Sequence, residues 1–311
     1  MLLKFLVAGV LAACVAAPSA SFAQTAAEAA STGSGPYPAI YEELASLPSH
    51  VVYRPRELQA LQRTKLPVYV WGNGGCSADG TSSRNHLLEI ASHGYLVIAA
   101  GTIPKGPPAT RPPAPPAPQA AGGPPAGPLP AATPTSLLSD AIDWAIRENG
   151  RAGSPWYGRI ATDRIAVSGW SCGGLQALNV APDPRVKTAV LMNTGFFNAA
   201  SPITGIANDK ATLARLHTPA LYVLGGSKDI AYANGMDDFN RISGIPAAVI
   251  NIPVGHTGTY FEPNGGLAAQ LATSWLDWQL KGDKTAGQRF TGANCGYCSD
   301  GRFTIARKNL G

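Results

Sequence analysis

Short apolar runs alternate with segments of helical periodicity along most of this chain, and that alternation constrains its fold more than any other feature. The runs are PVYVWGNGG, YLVIAAG, RIAVSG, KTAVLMN, PALYVLGG and AAVINIP. They are mostly unbroken by charge, as expected of strands that are buried on both faces. Amphipathic stretches such as SSRNHLLEIASHG and LAAQLATSWLDWQLKG follow individual runs. The pattern predicts βαβ units and an α/β fold, in which helices flank a mainly parallel central sheet.

The N-terminal 23 residues have the three parts of a secretory signal. Lys4 supplies the positive start, FLVAGVLAACVAA the apolar stretch, and SFA before Gln24 the small-residue cleavage site. The apolar stretch is too short to span a bilayer, so we expect no stable membrane insertion. An alternative is a lipoprotein cleavage box, LAAC, which would attach lipid to Cys14. We therefore expect an exported protein, secreted or periplasmic, that is cleaved near Ala23.

The rest of the chain is expected to form one domain with two unusual segments. Residues 24–36 have the composition of a flexible leader, and 37–311 suit a single large α/β domain. Segment 103–134 holds 13 of the 27 prolines, and its composition predicts a disordered insertion. It follows a central strand, so a flap beside the active site is the alternative. Segment 283–311 is a cysteine-containing C-terminal tail.

The charge and the cysteine content exclude some classes of function. The formal charge of +5 comes without a cluster of lysine and arginine, so nucleic acid is not an expected partner. Four cysteines remain after signal removal, and an even number in an exported protein favours disulfides. They are Cys76, Cys172, Cys295 and Cys298. Three connectivities are possible. The CGYC segment lacks a second CxxC and a nearby histidine, so we predict no metal and no other cofactor.

Ser171 lies at the centre of a G-x-S-x-G pattern, in the segment IAVSGWSCGG. The pattern follows a predicted strand and opens a predicted helix, GGLQALNVA. This is the context of a nucleophile elbow, in which a tight turn exposes the serine and flanking glycines avoid collisions. The pentapeptide alone is a weak signal, whereas its position between strand and helix makes Ser171 the predicted nucleophile.

A serine nucleophile needs a base, and the order of residues along the chain selects one histidine. The candidates are His50, His86, His93, His217 and His256. In an elbow of this kind the acid and then the histidine follow the serine. Three candidates precede Ser171, and His217 lies at the wrong end of the strand ALYVLGG. His256, just after AAVINIP, is the predicted base.

The acid that orients the histidine is expected in the loop after ALYVLGG. Asp229 lies there and could fix the tautomer of the His256 ring. Asp237 and Asp238 are alternatives, although both fall inside the next helical pattern, ANGMDDFNRI.

Two main-chain N–H groups are expected to form an oxyanion hole. One belongs to Cys172, directly after the nucleophile, and the other to Asn73 in the loop WGNGGC, with Gly74 as the alternative. A phosphate-binding reading of this loop is disfavoured, since it lacks both G-x-G-x-x-G and the P-loop lysine. We hypothesise that a Cys76–Cys172 disulfide ties these two segments together and that Cys295 pairs with Cys298.

These motifs together resemble the α/β-hydrolase superfamily. The resemblance rests on WGNGGC (71–76), GWSCGG (169–174), GGSKD (225–229) and GHTG (255–258), and covers roughly residues 50–282. It is closest to compact secreted esterases related to dienelactone hydrolases, cutinase-type polyester hydrolases and chlorophyllase-like esterases. It implies a sheet of about eight strands and the residues Ser171, Asp229 and His256 as a catalytic triad. The oxyanion segment differs from the lipase-type HGGG, and the Pro-rich insertion and CGYC tail have no assigned counterpart.

The sequence therefore predicts an exported serine esterase that forms an acyl-enzyme intermediate. About 28 residues separate Asn193 from Ala220, which leaves no room for a large lid domain. Aromatic residues near the site could wall an acyl pocket: Trp71, Trp170, Phe196, Phe197 and Tyr260. The substrate is expected to be a small or polymeric ester. Alternatives are a serine peptidase or acyltransferase with the same triad, and a binding protein that has the fold without turnover.

Overall fold

The protein has an α/β architecture with one large sheet at its centre. The computed structural model describes residues 32–105 and 128–310. The strands in these residues are β1 (Ala39–Leu44), β2 (Leu47–Pro55), β3 (Leu66–Gly72), β4 (Leu96–Ala100), β5 (Leu129–Pro130), β6 (Ile160–Trp170), β7 (Val186–Met192), β8 (Ile203–Thr204), β9 (Ala220–Leu224), β10 (Ala247–Asn251) and β11 (Thr304–Lys308). Strands β5 and β8 pair with each other, and the other nine form the central sheet.

The central sheet is mixed, with a parallel middle and antiparallel edges. Its order is β1-β2-β4-β3-β6-β7-β9-β10-β11. All neighbours from β4 to β10 are parallel, whereas β1, β2 and β11 are antiparallel to their neighbours. The chain moves outward from β3 to β4 and then returns to β6 on the other side of β3. Such a reversal leaves a crevice at the carboxyl ends of the two strands, where open α/β sheets bind ligands.

Helices cover both faces of the sheet. They are α1 (Arg84–Ser92), α2 (Ser136–Gly150), α3 (Cys172–Val180), α4 (Tyr232–Arg241), α5 (Gly266–Lys281) and the short α6 (Lys284–Gly287). One core layer includes residues of α1 and α5, and the other includes residues of α2, α3 and α4. Alternate residues of β3 enter opposite layers: Val68 and Val70 face one, and Tyr69 and Trp71 the other. Burial on both faces explains the apolar runs seen in the sequence.

The sheet has nine strands, compared with the eight or so expected from the sequence, and it is mostly parallel as expected, although the pairs at its two edges are antiparallel. Every strand predicted from an apolar run is present. The β1–β2 hairpin and the C-terminal β11 are additional, and each pairs antiparallel at one edge. At the edge, β11 has the polar sequence TIARK and no fully buried residue, so it carries no apolar run to predict it.

Some predicted segments fall outside the described residues. These are the signal (1–23), Cys14, residues 24–31 of the leader and 106–127 of the Pro-rich insertion. The described parts of the leader and insertion have hydrogen bonds to the rest of the fold. Ser34 donates to Glu89 of α1 through its N–H and its hydroxyl. Residues 128–134 are fixed by the β5–β8 pair and by Thr133, which donates to the carbonyl of Cys76.

The segment between β7 and β9 contains strand β8 and a 3-10 helix, Lys210–Arg215. It is a short cover over the carboxyl edge of the sheet, not a separate domain. In the described part of the chain, no helix combines the length and the apolar character needed to cross a membrane.

Candidate functional site

Ser171 occupies the turn between β6 and α3 in a backbone conformation that non-glycine residues rarely adopt. Its φ is 55° and its ψ is −120°. The Ser171 N–H donates to the carbonyl of Met192 at 2.9 Å, and the Ser171 carbonyl accepts from the hydroxyl of Thr194 at 2.8 Å. Strained backbone persists only where surrounding contacts hold it, and it concentrates at functional sites. These bonds hold the Ser171 side chain at the carboxyl edge of the sheet.

Glycines on either side of the turn let three pieces of main chain meet. A Cβ atom at Gly169 would overlap the carbonyl oxygen of Gly173. A Cβ atom at Gly173 would in turn overlap the main chain of Gly72, at the end of β3. The first turn of α3 therefore packs directly on the loop that follows β3, and a larger residue at either position would separate them.

Ser171, His256 and Asp229 form a continuous chain of hydrogen bonds. The distance from Ser171 Oγ to His256 Nε2 is 2.9 Å, and that from His256 Nδ1 to Asp229 Oδ1 is 2.6 Å. A carboxylate only accepts, so Nδ1 carries the ring proton and Nε2 is free to accept from the serine hydroxyl. The structure brings these three predicted side chains together, although Ser171 lies 85 residues and Asp229 27 residues before His256 in the chain.

The Asp229 carboxylate is buried and has four hydrogen-bond donors. Besides His256, they are the N–H groups of Ala231 and Gly225 and the side-chain amide of Asn193. Burial raises the pKa of Asp229, but the bonds from His256 and the two N–H groups outweigh it, so the pKa lies below its ordinary value. Asp229 is therefore an anion beside the imidazole ring at neutral pH.

Asn193 is a central residue of the site that the sequence reasoning missed. It directly follows β7 with a φ of 44°, and its amide donates to Asp229 Oδ2 at 2.8 Å and to the carbonyl of Gly255 at 3.1 Å. Its amide oxygen accepts from the buried hydroxyl of Tyr260. Asn193 thus links the acid to the loop that carries His256. The only signal in the sequence is a polar residue directly after an apolar strand.

Trp170 also contacts the loop that carries His256. Its indole N–H donates to the carbonyl of His256 at 2.8 Å, and its ring centroid lies 6.0 Å from that of the imidazole. The ring also packs on Gly74, where a Cβ atom would overlap it.

The two predicted main-chain donors lie beside the serine. Cys172 is the first residue of α3, so its N–H has no acceptor within the helix. Asn73 follows β3 beside Gly173, and its side chain is turned away to donate to the carbonyls of Ala100 and Ser77. The two N–H groups therefore belong to separate segments that pack against each other at Gly173.

The disulfide pairing hypothesis is confirmed. Cys76 is bonded to Cys172, with 5.2 Å between their Cα atoms, and Cys295 is bonded to Cys298. The first bridge joins the loop after β3 to the first turn of α3. The second leaves the CGYC segment without a free thiolate for a metal.

The predicted pocket aromatics divide into two groups. Phe197 lines a cavity of about 130 Å³ that opens on Ser171, and Trp170 flanks His256. The other three aromatic residues expected at the pocket are fully buried and do not line this cavity. They are Trp71, Phe196 and Tyr260. Trp71 and Phe196 pack in the core, whereas the hydroxyl of Tyr260 donates to Asn193. A larger cavity of about 410 Å³ lies behind the histidine loop and is not lined by Ser171.

The histidines and aspartates that were not chosen as the base or the acid lie in other environments. His50 bonds to the carbonyl of Leu137, and burial lowers the pKa of His86 to about 3. His93 pairs with Glu89, and His217 is exposed. Asp237 and Asp238 both pair with Lys210.

Within residues 32–105 and 128–310, no group of three or more His, Cys, Asp or Glu side chains could hold a metal ion. No protein-family model matches this chain, and neither does any curated protein.

Proposed function

We propose that the protein is an exported serine hydrolase of the α/β-hydrolase type that cleaves carboxylic esters. The observation that carries the proposal is the hydrogen-bonded chain Ser171–His256–Asp229, with a serine on a strained turn and a buried acid. Such a chain is the arrangement that activates a serine hydroxyl at neutral pH. The parallel middle of the sheet, and the reversal of winding between β3 and β6, support the fold assignment.

Each residue has a defined role in the proposed reaction. Ser171 Oγ attacks the ester carbonyl while His256 Nε2 takes its proton, and Asp229 stabilises the imidazolium. The N–H groups of Asn73 and Cys172 donate to the oxyanion. His256 then gives its proton to the leaving alcohol, and in the second half-reaction it takes a proton from the water that releases the acid. The site needs no cofactor for these steps.

The proposed export rests on the N-terminal signal pattern and is supported by the two disulfides, which persist in oxidising compartments.

Ser171→Ala should abolish the proposed activity without unfolding the protein. We expect kcat/KM for p-nitrophenyl acetate to fall by about 10⁴-fold or more, because removal of a triad nucleophile leaves only binding and oxyanion effects. A fluorophosphonate probe should label the natural protein and fail to label the variant. Ser243→Ala, at an exposed serine far from the site, is the matched control. Equal activity or labelling of Ser171→Ala and the control would refute the proposal.

A further inference from the structure

The cavity beside Ser171 is small and mainly apolar. It lies between α3, the segment after β7 and the start of α4, and its volume is about 130 Å³. Five aliphatic or aromatic side chains line it: Leu175, Phe197, Ile203, Ile230 and Ala231. Leu175 is buried on α3, whereas Ile230 is 72% exposed at the rim. An ester whose carbonyl meets Ser171 Oγ would place one of its two substituents in this space.

Most of the polar side chains that line the cavity have partners inside the protein, and Asn234 accepts from the Asn198 N–H through its Oδ1. The Asn193 amide is bonded to Asp229, Gly255 and Tyr260, and the Thr194 hydroxyl donates to the carbonyl of Ser171. No Asp, Glu, Lys or Arg side chain lines the cavity. A charged substituent would lose its water and find no ion pair, which is strongly unfavourable.

The far wall of the cavity is fixed by hydrogen bonds and does not depend on packing alone. The Phe197 N–H donates to Asn208 Oδ1 at 2.7 Å. Ile203 belongs to β8, which pairs with β5 through two main-chain bonds of 2.8 and 3.1 Å. These bonds hold the main chain that presents the side chains of Phe197 and Ile203 to the cavity.

The volume sets the size of that group. A group about as large as a water molecule occupies about 30 Å³, so 130 Å³ holds about four such groups. We propose that the cavity is the acyl subsite, that it accepts uncharged acyl groups of about two to four carbons, and that Phe197 and Ile203 set the upper limit. This inference rests on the proposed esterase function. Each methylene buried in the subsite raises kcat/KM by about fourfold, up to that limit.

A chain-length series tests the proposal. We would measure kcat/KM for p-nitrophenyl esters with acyl groups of two, four, six, eight and twelve carbons, at concentrations where the esters are monomeric. The concentration of active sites would be determined by titration of Ser171 with a fluorophosphonate. The natural protein should be fastest at four carbons, slower at two, and at least tenfold slower at eight than at four. Phe197→Ala and Ile203→Ala should each raise the eight-carbon rate relative to the acetate rate by at least tenfold. Ile146→Ala, at a half-exposed isoleucine on α2, is the matched control and should leave the profile unchanged.

A second pair of substrates tests the absence of charge. The methyl ester of butyric acid and the monomethyl ester of succinic acid have acyl groups of similar length, and the second ends in a carboxylate. Their hydrolysis would be followed by acid release in a pH-stat. The hemisuccinate should be at least 100-fold slower.

The two proposals fail in different ways. Hydrolysis that increases steadily to twelve carbons, equal rates for the two matched esters, or variants with the natural profile would overturn the subsite proposal while the esterase function stands. Absence of labelling and of hydrolysis for every ester would overturn the function itself.

Discussion

At the residue scale, the site depends on Asn193 as much as on the three residues that the sequence identified. Its amide nitrogen reaches both Asp229 and the loop before His256, and its oxygen holds Tyr260. Its partners lie 36, 62 and 67 residues away along the chain. Ser171, Asp229 and His256 could be predicted because their chemistry follows a fixed order along the chain. Asn193 could not, since a positioning amide has no sequence signature and its role exists only after β7, β9 and β10 lie side by side.

Asn193→Asp should move the acid limb of the pH–activity profile to higher pH. The substitution keeps the size of the side chain and tolerates the φ of 44°. It removes a donor to Asp229 and adds a like charge, and both changes raise the pKa of Asp229 from its lowered value. A protonated Asp229 cannot hold the imidazole correctly, so activity would be lost as the pH falls through the raised pKa. We expect the acid limb of kcat/KM to move up by about one pH unit, with recovery as the pH rises through the raised pKa.

The matched control is Asn198→Asp, which makes the same charge change at an exposed position five residues later. Its profile should overlay that of the natural protein. A uniform loss of activity in Asn193→Asp at every pH would mean that Asn193 acts only on the structure and not through the charge of Asp229.

At the element scale, strands that are buried on both faces were predictable and edge strands were not. The six parallel strands of the central sheet each carry an apolar run because helices cover both of their faces. They are β3, β4, β6, β7, β9 and β10. Strand β11 is polar, and its pairing with β10 spans more than fifty residues. Besides its main-chain pairing with β10, strand β11 is held by the side chain of its last residue. The Lys308 ammonium donates to the carbonyls of Phe239, Asn240 and Ile242, at the carboxyl end of α4.

Lys308→Met should destabilise the protein while leaving the site intact. The change removes a cation from a helix C-terminus and leaves three carbonyls without this donor, at a cost of about 1–2 kcal/mol. That corresponds to a fall in melting temperature of about 2–8 °C by calorimetry. Lys65→Met, at an exposed lysine before β3, is the control and should change the melting temperature by less than about 1 °C. Equal melting temperatures for the two variants would show that Lys308 does not anchor the tail.

At the scale of the whole molecule, the sheet order explains why the site lies where it does. The loop after β3 leads to α1 on one face, and the loop after β6 leads to α3 on the other. The gap between them is the crevice, and the Cys76–Cys172 bridge crosses it. The sequence predicted the parallel strands and the order in which the serine, the acid and the histidine follow them along the chain. It could not supply the size of the apolar cavity, because Phe197, Ile203 and Ile230 come together only through the β5–β8 pair and α4.

The two disulfides should contribute very differently to stability and activity. The Cys76–Cys172 bridge closes a loop with a sequence separation of 96, and the Cys295–Cys298 bridge one of 3. Loop-closure entropy gives about 5 kcal/mol for the first and about 2 kcal/mol for the second. Replacing both cysteines of a bridge by alanine should therefore lower the melting temperature by about 6–12 °C more for the first pair than for the second.

Activity separates the two bridges further, because only the first lies at the site. The Cys76→Ala/Cys172→Ala variant keeps the N–H of residue 172 but releases the loop that carries the Asn73 N–H. We expect kcat/KM for p-nitrophenyl acetate to fall by about tenfold or more at a temperature where circular dichroism shows the variant to be folded. The Cys295→Ala/Cys298→Ala variant, whose bridge lies in the C-terminal tail, should retain the natural kcat/KM. If the folded first variant kept full activity, the main-chain donors would be fixed by the packing of Gly173 on Gly72 alone, and the bridge would serve stability only.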